Sequence, residues 1–348
     1  MAVIGVAGTA KNTGKTTTLI AVLAAAEAGL IVAVTSIGYD GEARDHLTGL
    51  AKPRVDVPVG AYVATVERLA YTGTARLEFV ARTGALTPLG EVIVTRCTAP
   101  GRVAIAGPMT GTALRQVLAV LRPQGVHLCL VDGAFGRMAP MLETDGLVLA
   151  TGAARNSDMA QLLAETAAIA WLFQIAALGP ARRHVERVGS LLTAPDGRGL
   201  AQRIQAAAAV HGGLRVEVEG AVTEAALAAL AEAADNWSAR VGWRFADNVK
   251  LALAGSPVRT RAYLRRLGRH GPVGVARVLP LLAVTVNPFW PEPYGQGFRA
   301  RYLDGESLEA EMTTALSVPV ANLLLPRREK AIRIVNCILS TALGAQPM

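Results

Sequence analysis

Lysine is scarce in this chain. Of 35 basic residues only five are lysines, namely Lys11, Lys15, Lys52, Lys250 and Lys330, and the other 30 are arginines. Cysteine is scarcer still: Cys97, Cys129 and Cys337 are odd in number and far apart, which excludes a disulfide scaffold. No cysteine or histidine has a histidine partner at metal-ligand spacing, so no zinc-type site is expected. Aromatics make up 5% of the residues. Long apolar runs are missing as well. The best stretch, residues 166–177, falls short of the ~20 residues that span a bilayer, although the mean hydropathy is positive through abundant alanine. No basic segment precedes the first apolar run, so no signal peptide is expected. The expectation is a soluble, cytoplasmic protein without a membrane partner.

What is present is a chain of 348 residues, 51% hydrophobic, with a net charge of +8. That composition excludes disorder as the main state. The length suits two domains or one large α/β domain with a substantial core. Arginine excess and abundant alanine together read as the bias of a GC-rich genome, so the charge alone names no polyanionic partner. Against that background, two of the five lysines standing four residues apart are worth a closer look.

The N-terminal pattern is strand, loop, helix, strand. Residues 3–7 are apolar, residues 8–17 read Gly-Thr-Ala-Lys-Asn-Thr-Gly-Lys-Thr-Thr, and residues 16–28 are helix formers that stop at Gly29. A second apolar run, 30–34, ends in Thr35-Ser36-Ile37-Gly38-Tyr39-Asp40-Gly41-Glu42. This is how a parallel α/β sheet opens. Further strands are predicted at 77–80, 91–96, 103–106, 127–131 and 147–150. Helices are predicted at 66–71, 112–121 and from 158 to about 178. The segment 180–199, rich in Arg, Gly and Pro, is the candidate boundary. This divides the chain into 1–180, a nucleotide-binding domain, and 181–348, a second α/β region that either folds separately or extends the same sheet. In the second region helices are predicted at 200–210 and 223–234, and strands at 215–218, 281–286 and 319–323.

Gly-x5-Gly-Lys-Thr between a strand and a helix reads as a P-loop. Glycines allow backbone N–H groups to turn toward phosphate oxygens, and the helix start adds the positive end of its dipole. In this reading Gly8, Thr9, Ala10, Lys11, Asn12, Thr13, Gly14, Lys15, Thr16 and Thr17 form the phosphate cradle. Lys15 reaches the β- and γ-phosphates, and the Thr16 hydroxyl holds Mg²⁺. The spacing is one residue longer than the usual Gly-x4-Gly-Lys-Ser/Thr. Asp132, at the end of an apolar strand, completes the metal site. Asp40, after the second strand, serves the metal or the attacking water. Both fall at strand carboxyl ends, where open parallel sheets bind ligands. The cofactors expected are ATP and Mg²⁺, and the activity expected is ATP hydrolysis.

The stretched loop resembles the P-loop subset that includes dethiobiotin synthetase and the cobyric and cobyrinic acid amide synthases. Lys11 resembles the extra lysine of MinD/ParA ATPases, which implies a homodimer with Lys11 acting across it. There the two lysines are five residues apart and here four, so a plain solvated loop lysine is an equal reading. The run 8–17, the continuation 35–42, Ala106-Gly107-Pro108, 130–134 and Val284-Thr285-Val286-Asn287-Pro288 occur in that order. In that combination the chain, to about residue 325, is similar to a family of reactivase subunits. These are associated with the cobalamin- and pyridoxal-phosphate-dependent lysine 5,6- and ornithine 4,5-aminomutases. The resemblance implies an ATPase that removes damaged cobalamin from an inactivated aminomutase together with a MutS-related partner subunit. The alternative is an ATP-dependent small-molecule ligase of the dethiobiotin or cobyric acid synthase type. Those enzymes carry a Lys-Pro element where this chain has Ile37-Gly38-Tyr39-Asp40, and the amide synthases also need a nucleophilic cysteine in a glycine-rich elbow.

Three further features compete for a role. Arg259, Arg261, Arg265, Arg266, Arg269 and His270 crowd one predicted helix, yet no nucleic-acid-binding motif accompanies them. Residues 287–294, Asn-Pro-Phe-Trp-Pro-Glu-Pro-Tyr, concentrate the scarce aromatics and suit either core packing or a partner. Asp247 and Lys250 are either polar site residues or surface. Arg137 is a weak candidate for a phosphate contact.

Overall fold

The computed structural model describes residues 1–26, 29–39, 55–181, 184–295, 297–324, 329, 332–334, 336–337 and 340. Asp40, Gly41 and Glu42 lie outside the described residues. The chain divides into two compact units: residues 1–163 with 281–348, and residues 164–280. The division expected from composition, at residue 180, runs differently. The structure sets 164–280 apart as an insertion and returns the chain to the first unit at Leu281.

The first unit is built on a nine-stranded sheet. Its order is Val320–Asn322, Leu281–Asn287, Gly146–Gly152, Ala2–Gly8, Leu128–Ala134, Val32–Ser36, Tyr62–Val66, Gly90–Ala99 and Arg76–Thr87. The first seven run parallel, and the last two form an antiparallel edge. Ala2–Gly8, Gly146–Gly152 and Leu281–Asn287 are buried at every residue. Continuous burial of this kind belongs to parallel strands covered on both faces, which is why these runs are apolar without alternation. The helix Lys15–Ala26 packs Leu19, Val22 and Leu23 into a core shared with Ile4, Val34, Leu130 and Val148. The fold class is therefore α/β, a mostly parallel sheet with helices, as the sequence pattern indicated.

The second unit holds four parallel strands in chain order: Val185–Val188, Gly213–Val218, Arg240–Asp247 and Val273–Arg277. Helices Ala194–His211, Glu224–Ala234 and Pro257–Leu267 alternate with them. These helices pack side by side, Glu224–Ala234 lying against both Ala194–His211 and Pro257–Leu267. Val216, Val218, Trp243 and Phe245 are buried.

Two local expectations are corrected. Residues 103–106 do not form a core strand: Gly101–Val103 pairs antiparallel with Val55–Val57, and Ala106 makes an isolated bridge to Tyr39. The Gly107-Pro108 pair supplies one N–H and an arch instead of a ladder. The helix predicted to reach 178 ends at Phe173, and Ala177 leaves it to pair in parallel with Val275. Among the described residues, no helix is long and apolar enough to cross a membrane.

Candidate functional site

The register of the first sheet gathers the sequence motifs at one edge. Gly8 lies beside Ala134 and Ala150, Ser36 beside Asp132, and Gly152 beside Asn287. These are all carboxyl ends of parallel strands. The chain leaves Ala2–Gly8 and passes over Leu128–Ala134 to reach Val32–Ser36, while Gly146–Gly152 flanks the other side. A reversal of strand order of this kind opens a crevice outside the strand ends.

Across this edge, residues 9–14 make a tight loop. Asn12 and Gly14 have φ of 62° and 87°, in the left-handed region. At Gly14 a Cβ would stand 3.3 Å from Cβ of Asn287, so conformation and space both call for glycine. Four loop carbonyls are tied to protein donors. The Thr9 carbonyl accepts from Arg155 Nη1 (3.3 Å) and the Ala10 carbonyl from the Thr13 hydroxyl (2.9 Å). The Asn12 carbonyl accepts from Asn287 Nδ2 (2.8 Å), and the Gly14 carbonyl from the Thr18 hydroxyl (3.0 Å) and Thr18 N–H (2.8 Å). In a planar trans peptide the C=O and the following N–H point opposite ways. Pinning these carbonyls therefore fixes the direction of the N–H groups of Ala10, Lys11, Thr13 and Lys15.

The helix Lys15–Ala26 starts at the end of this loop with no acidic residue in its first turn. Its opening N–H groups have no partners further back in the helix, and they carry the positive end of the dipole. Lys15 Nζ lies 3.2 Å from Asp132 Oδ1, with both side chains 13% exposed. Thr16 and Thr17 occupy the same first turn. Thr9 is held in place by its N–H on the Ala150 carbonyl (2.9 Å) and its hydroxyl on Thr151 (3.0 Å). Beside the helix start, Thr13, Thr17, Thr18, Thr285 and Asn287 line a shallow cleft together with Leu323 and Leu324.

The turn after Val32–Ser36 is gripped from two sides. Ile37 N–H donates to the Asp132 carbonyl (2.6 Å), and Gly38 N–H to the Pro108 carbonyl (3.1 Å). Gly107 N–H returns a bond to the Gly38 carbonyl (3.0 Å), which also accepts from the Ser36 hydroxyl (2.7 Å). A Cβ at Gly107 would stand 1.9 Å from the Ser36 carbonyl oxygen, so only glycine lets this arch close. Arg137 lies against Gly38, its Nη1 3.3 Å from where a Cβ would be.

Thus the structure brings Gly8, Thr9, Ala10, Lys11, Asn12, Thr13, Gly14, Lys15, Thr16, Thr17 and Asp132 to one edge, with Arg137 nearby. Lys11 is exposed on the loop. Sequence reasoning assigned no role to Arg155, Thr151 and Asn287. Asn287 stands in both the 284–288 and the 287–294 runs, so its position was visible. Arg155 and Thr151 carry no local signal, because their roles depend on a strand partner 142–146 residues away.

The other candidates have local employment. Arg259 pairs with Glu224 (2.8 Å), and Arg266 Nε donates to Asp235 Oδ1 at 2.7 Å. Arg265 stacks 5.6 Å over Trp171, and His270 meets the edge of Trp237. Buried Asp247 caps the helix Asn248–Ala252 by accepting from Lys250 N–H (2.7 Å), and it pairs with Lys250 Nζ. Burial pushes the Cys129 thiol up to about 12 and raises that of Cys97, so neither is a thiolate near neutrality. Among the described residues, no group of three His, Cys, Asp or Glu could hold a metal by itself.

Chemically, this edge combines a partly buried cation, a carboxylate, a helix start and backbone N–H groups of fixed direction. That set suits a compact, highly charged anion. Compared with known proteins, the chain matches no protein-family model, and no curated protein is a significant match to it.

Proposed function

We propose that the chain binds ATP with Mg²⁺ at the Gly8–Thr17 loop and hydrolyses it while reactivating a cobalamin- and pyridoxal-phosphate-dependent amino acid aminomutase with a partner subunit. The observation that carries the nucleotide reading is the loop's bracing: four carbonyls held by Arg155, Thr13, Asn287 and Thr18, beside the Lys15–Asp132 pair. A P-loop needs its N–H groups aimed before the phosphates arrive, because electrostatic stabilisation works best when no reorganisation is needed.

Each residue then has a defined part. Lys15 brings its charge to the β- and γ-phosphates, and the N–H groups of Thr13 and Lys15 donate to phosphate oxygens. The Thr16 hydroxyl and the Asp132 carboxylate hold the metal. Mg²⁺ favours few carboxylates plus phosphate oxygens and water over an all-protein cage, which suits the Asp132 carboxylate beside the lysine. When bound, the metal held by Thr16 and Asp132 would supply positive charge that offsets the negative charge developing on the phosphoryl group. Asp40 serves the metal or the attacking water in this reading. Lys11, exposed on the loop, is the residue through which a second copy would reach the phosphates.

The reactivase part comes from the sequence resemblance. It is tested by mixing this protein, ATP, candidate partner subunits and a cobalamin-inactivated lysine or ornithine aminomutase. Recovery of mutase activity that needs ATP is the expected result. No recovery with either mutase, although ATP is hydrolysed, would overturn the reactivase and leave the nucleotide site standing. Rapid turnover of ATP with a carboxylate and an amine would replace it with the ligase.

A further inference from the structure

The ribbon that follows Asn287 is a site of another kind. Phe289–Tyr294 and Gly297–Tyr302 form an antiparallel pair, and among the described residues no third strand joins them. Leu303 N–H donates to the Pro288 carbonyl (2.9 Å), which makes 288/303 a hydrogen-bonded pair. Antiparallel ladders alternate, so 289/302, 291/300 and 293/298 are non-bonded pairs whose N–H and C=O groups point away from the ribbon. On the first strand two of those outward positions are Pro291 and Pro293, which have no N–H to offer. That edge is closed to strand pairing. On the second strand the outward positions are Phe298, Ala300 and Tyr302, all exposed, and their donors and acceptors form an open edge.

The two faces beside this edge differ. Phe289 and Tyr302, Pro291 and Ala300, and Pro293 and Phe298 share an apolar face, on which Tyr302 is 62% exposed. On the opposite face Arg299 and Arg301 both reach Glu292, at 2.7 and 2.8 Å, leaving two positive charges over one negative. Arg299 also lies 5.2 Å over the Tyr294 ring.

We propose that Gly297–Tyr302 is a strand-addition site for an extended segment of a partner protein that alternates apolar and acidic residues. Apolar side chains of the added strand meet Phe298, Ala300 and Tyr302, and its carboxylates meet Arg299 and Arg301. Main-chain hydrogen bonds supply affinity and the alternating side chains supply register. A second copy of the same strand fits poorly. Antiparallel registers centred on residue 299, 300 or 301 set an arginine opposite an arginine, and like charges directly opposite destabilise a pair. The proposal is independent of the nucleotide reading.

The test uses the full chain and a fluorescent peptide of four Glu-Val repeats, with a peptide of the same composition arranged as a glutamate block and a valine block. Saturable binding of the alternating peptide, weakened by salt, is expected, with the block peptide at least about tenfold weaker. Ala300→Pro removes one outward N–H and leaves the ribbon's own bonds intact, so binding should fall at least about tenfold with unchanged circular dichroism. Arg301→Gln should lower affinity several-fold and flatten the salt dependence. Equal binding by Ala300→Pro, equal binding of the block peptide, or no binding to the wild-type chain would each overturn strand addition. Self-association abolished by Ala300→Pro would overturn the acidic partner in favour of a second copy.

Discussion

The two units are both α/β, one on a mostly parallel sheet and one on a parallel sheet, yet they finish their strand ends differently. In the inserted unit the strands follow chain order, so consecutive loops lie side by side and no strand order reverses. Three of its helices begin on their own side chains, while Pro257–Leu267 starts after Ser256 without such a cap. Thr193 and Asp196 form a capping box on Ala194–His211, Thr223 caps Glu224–Ala234, and Asp247 caps Asn248–Ala252. In the first unit the order reverses around Ala2–Gly8, and the helix at that point opens with Lys15-Thr16-Thr17-Thr18 and no acid. A helix start already supplied with its own carboxylate or hydroxyl has little call for an external anion. A start that follows a braced loop and carries a lysine keeps that demand. One architecture thus yields a scaffold in one place and a candidate anion site in the other.

The largest expected break in this contrast is at glycine. Gly107→Ala drives a Cβ into the Ser36 carbonyl, a backbone atom that cannot swing aside. A loss of about 3 kcal/mol in urea unfolding is expected, at the upper end for overpacking. Gly199→Ala, in the helix Ala194–His211 with open space around it, should instead stabilise by ~0.5–1 kcal/mol. If the two substitutions behave alike, the arch over Gly38 is not the constraint described.

Next in size is Asn287→Ala, which removes the donor to the Asn12 carbonyl. Nucleotide affinity measured by calorimetry should drop about tenfold, the equivalent of ~1.4 kcal/mol, as the loop loses one brace. Thr193→Ala, in the inserted unit, should cost about 1 kcal/mol of stability and leave that affinity untouched. Equal effects of the two on binding would erase the distinction between scaffold and site.

The smallest effect is on pH. Backbone and hydroxyl hydrogen bonds from Thr193, with a further one from Leu192, hold the Asp196 carboxyl below its ordinary value. A carboxylate with a depressed folded pKa contributes stability above its unfolded pKa, and that contribution fades as pH falls through the folded one. Asp196→Asn should therefore flatten the acid limb of stability against pH slightly, below about pH 4 where unfolded aspartate titrates. An unchanged acid limb would remove Asp196 from the capping account.

The order of strand, glycine loop, helix and strand at the N-terminus was legible because each signal is local: apolar runs, punctuating glycines, helix formers. Asp132 was legible as the polar end of an apolar strand. The partition of the chain was not. Leu281–Asn287 reads as one more apolar strand, and nothing local says that it pairs with Gly146–Gly152 across an intervening unit. The same holds for Asn287, whose partner Asn12 lies 275 residues away. Residues 103–106 misled because hydrophobicity marks burial, whereas the ladder also needs donors that Gly107-Pro108 does not continue. Asp40 lies outside the described residues, so its part in the site is still a reading of the sequence.

The most direct measurement is an isothermal titration of MgATP into the full chain, its Lys15→Ala variant and its Lys250→Ala variant. The account predicts saturable binding by the wild-type chain and by Lys250→Ala, and loss of it in Lys15→Ala. Equal binding by Lys15→Ala, or no binding by the wild-type chain, would contradict it.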